Sequence, residues 1–220
     1  MQRAAIAARL SELVAEEDAR RWHPPGYVAG RSLDGSTLLI SLHWVHCNYA
    51  GKPAWAHGDA VVAAYREGAD YAMRMNDDTA APVAADWVDR FVADLRGRAI
   101  ANLGVVGPAC AQGASWILTH DFTHRTHAAV FGHHYPRSLP DWSSDDWITI
   151  VYRQFGLMSR REDTPVEHRL HGQRYAQQEK GERLANLNAE LARGAAQIEA
   201  WLLSNGHPAM KWTPETVTCC

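Results

Sequence analysis

The sequence predicts an α/β fold. Two observations carry that prediction. Strand-like runs at Thr37–Leu42, 70–75 and Ala99–Val106 are separated by helical periodicity at 55–66 and Ala84–Leu95, giving strand, loop, helix, strand, loop, helix, strand. The chain has 220 residues, enough for one domain with a sizeable core and rarely enough for two.

Each element has its own signal. Ile6, Leu10, Leu13 and Val14 recur at helical spacing and predict an amphipathic helix over 4–21, broken by His23-Pro24-Pro25-Gly26. TLLISL, 37–42, is a short apolar run behind Asp34-Gly35 and predicts a buried strand. Asn48 to Pro53 reads as a loop. Val61, Val62 and Tyr65 share one face of the helix 55–66, and Gly68 stands where a helix C-terminal cap belongs. The strand 70–75 ends in Asn76-Asp77-Asp78. Trp87, Phe91 and Leu95 fall at i, i+4 and i+8 of the next helix. The strand from Ala99 stops at Gly107-Pro108. The segment 109–147 is rich in His, Trp, Gly and Pro and holds only short regular pieces, such as 116–119. Trp147 to Phe155 reads as helical. Leu184, Leu187, Leu191, Ala195, Ile198 and Leu202 predict a closing amphipathic helix.

Composition narrows the class of function. Hydrophobic residues make up 46% and charged residues 21%, as in ordinary globular domains. A net charge of −3 leaves no electrostatic footprint for nucleic acid or an anionic membrane. No apolar run approaches the length of a membrane span, and acids within the first residues argue against a signal peptide. Four cysteines, two of them terminal, are too few and scattered for a disulfide framework, so a reducing, cytoplasmic setting is expected. Five of the 12 histidines fall in 120–134, which points to a polar, ligand-lined cleft.

Four constellations carry chemistry. Asp77 and Asp78 follow one another at a strand end, where ligands of open α/β sheets bind. Such a pair is costly unless a cation neutralises it. Hard divalent ions take oxygen ligands and often share them with a diphosphate. A solvated turn, or Asp78 capping the helix that follows, is the plain alternative. Asp145 and Asp146 lie in WSSDDW at a helix start, where acids favour the macrodipole. His120 and His124 nearly match the H-E-x-x-H zinc motif, although the WILT flank predicts a strand there. Finally, Val166 to Tyr175 places His168 and His171 among Arg169 and Arg174, whose guanidinium groups suit phosphate oxygens.

The stretch NYAGKPAWAHGDAVVAAYREGADYAMRMNDDT, 48–79, resembles the nucleotide-binding segment of GT-A glycosyltransferases. The matching positions are Asn48, Gly51, Lys52, Ala54, Ala56, Gly58, Gly68-Ala69-Asp70-Tyr71 and Asn76-Asp77-Asp78. The tract LGVVGP…ILTHDFTHRTHAAVFGHHYP…PDWSSDDWITIVY resembles the members of that group linked to Tet/JBP-type DNA base hydroxylases. The resemblance covers about residues 45–175, with NDDT and WSSDDW its most specific parts. It implies a GT-A-like mixed sheet flanked by helices in a single domain, 1–220. That domain would comprise an N-terminal helix and linker (1–35), a nucleotide- and metal-binding half (37–107), an acceptor half (108–175), and a C-terminal helix and tail (176–220).

The same resemblance implies a site. A nucleotide-sugar donor such as a UDP-sugar would meet Asn48, Lys52, Asn76, Asp77 and Arg174. Mn²⁺ or Mg²⁺ would sit on Asp78, with His168 or, second, His171 completing its coordination. Asp145 or Asp146 would be the base that deprotonates the acceptor hydroxyl, which in the linked group belongs to a hydroxymethylated DNA base. Trp116 and Trp142 would stack on a sugar or a base. The chain departs from the pattern in two places. Asn76 stands where an acid is expected, and the part before Asn48 is one β-α unit short. Both departures favour an alternative, a non-catalytic GT-A-like binding module. A zinc hydrolase using His120 and His124 is a further alternative.

Overall fold

A computed structural model of the chain describes residues 27–31, 37–41, 43–80, 82, 84–111, 114–169 and 179–218. The predicted helix over 4–21 lies outside them. The chain divides into two compact units, Met1–His46 and Cys47–Cys220.

In the first unit, β1 (Tyr27–Arg31) pairs antiparallel with β2 (Thr37–Ser41), in register from Tyr27↔Ser41 to Arg31↔Thr37. The predicted strand at 37–42 therefore exists, but its partner is β1. It was expected to open the nucleotide-binding half, and it is not a strand of the larger sheet. Antiparallel pairing of two neighbouring runs satisfies both backbones locally.

The second unit begins with α1 (Pro53–Arg66). Proline suits the first helical turn because its missing N–H has no intrahelical acceptor there. Gly68, with φ of +103°, ends the helix in the left-handed region as expected. Then follow β3 (Tyr71–Arg74), β4 (Thr79–Ala80), α2 (Trp87–Arg96), β5 (Val105–Cys110), β6 (Asp121–His124) and α3 (Thr126–Phe131). The chain continues through α4 (Ser144–Arg153), β7 (Met158–His168) and α5 (Lys180–Ser204). The five strands form one mixed sheet in the order β3-β6-β5-β7-β4. Only β5 and β7 run parallel; β6 is antiparallel to both of its neighbours, and β4 is antiparallel to β7. The α/β class holds, with β3 at one edge of the sheet.

Three local expectations change. The strand predicted from Ala99 starts at Val105, because Asn102 at φ of +65° and Gly104 at +125° turn the chain first. It then runs through Gly107-Pro108 instead of stopping there. β6 pairs with β5 only at Val105 and Val106, so Pro108 faces β7 alone, and the register slips between Pro108 and Cys110. A proline is tolerated at such a one-sided, bulged position. The strand expected at 116–119 forms later, as β6. β7 has no apolar alternation to announce it. Its middle, Arg160 to Asp163, is charged and pairs locally, Arg160 with Glu162 and Arg161 with Asp163. Parallel pairing to β5 makes it a strand.

The two faces of the sheet are covered as the stripes predict. Phe91 and Leu95 of α2 are fully buried against Val106 and Phe122, with Trp87 and Tyr71 around them. Leu187, Leu191, Ala195, Ile198 and Leu202 of α5 join Trp147, Ile148 and Val151 of α4 in the larger core. Close approach of the two helices depends on Gly194: a Cβ there would lie 2.6 Å from Val151 Cγ2.

Candidate functional site

β3 ends at Arg74, which lies directly across from Asp121, the first residue of β6. Both are buried. Arg74 Nε donates to Asp121 Oδ2 at 3.1 Å and to the Tyr135 hydroxyl at 2.8 Å. That hydroxyl donates in turn to Asp121 Oδ2 in a short contact. The second carboxylate oxygen of Asp121 is bonded to His134 Nε2 at 2.9 Å. Arg74 Nη1 donates to Asn76 Oδ1 at 3.0 Å. The cation behind the acidic strand end is thus a guanidinium of the chain itself. Its remaining nitrogen, Nη2, is buried with no hydrogen-bond partner among the described residues.

The charges here hold one another in place. Burial disfavours the Asp121 carboxylate, but His134 and Arg74 outweigh it and hold the group below the usual carboxylate range. Burial likewise works against Arg74, and Tyr135 and Asp121 keep it protonated. Behind them, His127 Nε2 must donate to the His134 carbonyl at 2.9 Å, so His127 Nδ1 accepts from Tyr152 at 2.9 Å. Burial pushes His127 down to about 3, so it stays neutral.

Asp145 and Asp146 enter from the first turn of α4. Ser143, at φ of +69° and buried, makes the turn that aims them. Asp145 Oδ1 accepts the Asp146 N–H at 3.1 Å. Burial raises Asp145 while Arg74 opposes the rise, so the two groups share one field. Asp146 is pushed up to about 6 by burial and then by the charge of Asp145. His57, on α1, is lowered to about 4 by burial and then by Arg74; Asp121, His134 and Asp77 also act on it. Side chains of α1, β3, β6, the 134–135 turn and α4 therefore form one cluster of perturbed groups, as binding and catalytic sites do.

The expected site residues are only partly gathered there. Asn76 is bonded to Arg74, and Asp77 is exposed in the turn, within the field of His57. Asp78 accepts the Arg169 N–H on its carbonyl at 2.8 Å, and Thr79 pairs with His168 in the β4–β7 ladder. The acidic turn and the 167–169 segment are thus backbone neighbours. The His168 side chain, His171 and Arg174 lie outside the described residues. Among the described residues, no three His, Cys, Asp or Glu side chains are grouped to hold a metal ion. Asn76 Oδ1 is engaged by the Arg74 guanidinium at the strand end.

Asn48 stands exposed in the loop before α1. Lys52 lies 3.9 Å over the Trp55 ring and opens onto a cleft of about 460 Å³ whose lining includes none of Asn76, Asp77 and Asp78. The zinc geometry fails. His124 is on a strand and His120 immediately precedes it, which separates them by about 13 Å instead of stacking them on a helix. His120 Nε2 is bonded to Thr79 Oγ1 at 3.2 Å, and His124 Nδ1 to Thr126 Oγ1 at 2.7 Å. Trp116 and Trp142 are both exposed.

His57, Arg74 and Tyr135 are members of the cluster that the motifs did not single out, while Asp121 and His134 belong to the histidine-rich motif, where Asp121 stands in place of the zinc motif's Glu. One signal existed: Arg74 is the only charged residue within the strand YAMR, three residues before Asp77. No family model, no curated protein and no solved structure matches this chain.

Proposed function

We propose that the chain transfers a sugar from a nucleotide diphosphate sugar to a hydroxyl acceptor. The observation that supports this reading most is that both motifs reach Arg74 at one sheet end. Asn76 of the strand-end turn accepts from its guanidinium, and its charge opposes the rise of Asp145. These are the two motifs on which the GT-A resemblance rests.

Asp145 is the base, because its field couples to Arg74 at the strand end. The acceptor oxygen attacks C1 of the sugar, and its proton passes to the Asp145 carboxylate. The bond from C1 to the diphosphate oxygen breaks, and the diphosphate leaves with the electron pair. A carboxylate raised by burial is matched to such proton transfer near neutral pH. Asp146, sharing charge with Asp145, tunes the pair. The exposed Asp77 contacts the donor's ribose or sugar.

A titration separates binding from chemistry. UDP-sugars titrated calorimetrically should bind wild type and Asp145→Asn alike, while transfer is lost only in the variant. Equal loss of binding would remove Asp145 from the role of base. A divalent ion stays in the proposal through Asp78 and has its own readout. Mn²⁺ added to chelator-treated protein with donor should raise the melting temperature, and Asp78→Ala should abolish the rise.

The second reading, a non-catalytic binding module, is favoured by one observation. The strand at 37–41, expected in the nucleotide-binding half, pairs with β1 in a separate two-stranded sheet. Donor binding without turnover for any acceptor would support the module.

A further inference from the structure

A cleft of about 460 Å³ opens where the start of α1 meets the 137–141 segment and the first turns of α5. This volume is within the range of small-molecule sites. Its walls are tied together through the middle segment. The Ala54 N–H donates to the Pro140 carbonyl at 3.0 Å, and Trp55 Nε1 to the Arg137 carbonyl at 3.0 Å. From the other side, Asn186 Nδ2 reaches the Ser138 carbonyl at 3.5 Å, and Ser138 Oγ bonds Glu190 at 2.6 Å. A cleft fixed in this way is preformed for its ligand.

The charges on its lining decide the class of ligand. Lys52 and Arg137 are matched by Asp141 and Glu182. Arg137 is already paired with Asp59, and Lys52 rests on Trp55. A diphosphate or a nucleic-acid backbone would meet two carboxylates with little free positive charge to offset them. An apolar ligand would strand the polar lining. Hydroxyl groups, which both donate and accept, satisfy Lys52, Ser138, Asn186, Asp141 and Glu182 together. Trp142, the neighbour of Asp141, is 45% exposed, with the Arg183 guanidinium over its ring.

The cleft also leads to the proposed base. Asp141 bridges to Ser143 and accepts from Ser144 Oγ on its carbonyl at 3.3 Å, one residue before Asp145. We infer that this cleft binds a saccharide and presents one of its hydroxyls as the acceptor. The inference rests on the transferase reading for the word acceptor, and it places a carbohydrate where the sequence resemblance implied a base in DNA.

Saturation-transfer NMR with glucose, galactose, mannose, N-acetylglucosamine and their β-1,4-linked dimers tests it. At least one saccharide should receive saturation from the wild type. Its affinity should fall about tenfold or more in Asn186→Ala and Asp141→Asn, with UDP binding unchanged and both variants folded by circular dichroism. No saccharide signal, or equal signals in wild type and variants, overturns the inference. Transfer to a hydroxymethylated oligonucleotide without saccharide binding overturns it while leaving the transferase reading intact. Saccharide binding lost in Asn186→Ala, with no UDP-sugar consumed under any condition, supports the cleft and overturns the transferase.

Discussion

Arg74 governs what the end of β3 can hold. It is a buried cation that spends its donors on Asp121, Tyr135 and Asn76, and its removal leaves the Asp121 carboxylate buried without that partner. Breaking such a pair from one side costs about 3–5 kcal/mol. Arg74→Met should therefore lower unfolding free energy by that order in urea titration, and adding Asp121→Asn to it should recover part of the loss. A second residue has a pH signature. Asp146 is raised to about 6 in the folded state, so folding favours its protonated form. Below about pH 4 both states are protonated and nothing is lost; between about 4 and 6 the folded state loses stability as the unfolded carboxyl ionises first. Asp146→Asn should accordingly stabilise the protein by about 1–3 kcal/mol at pH 8 and leave it unchanged at pH 3, read from urea midpoints at the two pH values.

Elements whose signal is local were legible, and elements made by their neighbours were not. α1, α2 and α5 carry apolar stripes that anyone can read at helical spacing, and Trp87, Phe91 and Leu95 cover the sheet as that spacing requires. β7 is charged along its middle and becomes a strand only through β5, a partner about fifty residues away in sequence; pairing at that distance leaves no local mark. β5 hid its true extent because Gly107-Pro108 reads as a stop. At Gly107 the missing side chain is instead a packing requirement: a Cβ would lie 2.2 Å from the His120 carbonyl oxygen, which is backbone and cannot swing away. Gly107→Ala should cost about 1–3 kcal/mol by thermal or urea unfolding, and should disturb the strand that carries Asp121. The candidate site followed the same rule. Asp77, Asp78, Asp145 and Asp146 were visible as runs of acids, whereas Asp121 and Tyr135 acquire Arg74 from β3, far away along the chain, and His134 bonds Asp121 of β6.

At the scale of the whole molecule, a mixed sheet brings the turn after β3, the start of β6 and the first turn of α4 to one end, and among the described residues no helix is long and apolar enough to cross a membrane. The cluster gathered there contains a fixed cation, a deprotonated Asp121 and a raised carboxylate pair. This division of roles is what proton transfer from a hydroxyl requires. The most direct test is the transfer rate itself, measured with radiolabelled UDP-sugars and a set of saccharide acceptors in wild type and Asp145→Asn. The account predicts transfer by wild type that falls with decreasing pH as the raised Asp145 carboxyl takes up its proton, and a loss of about a hundredfold or more in the variant. No transfer from any donor, or equal rates in the two proteins, would contradict it.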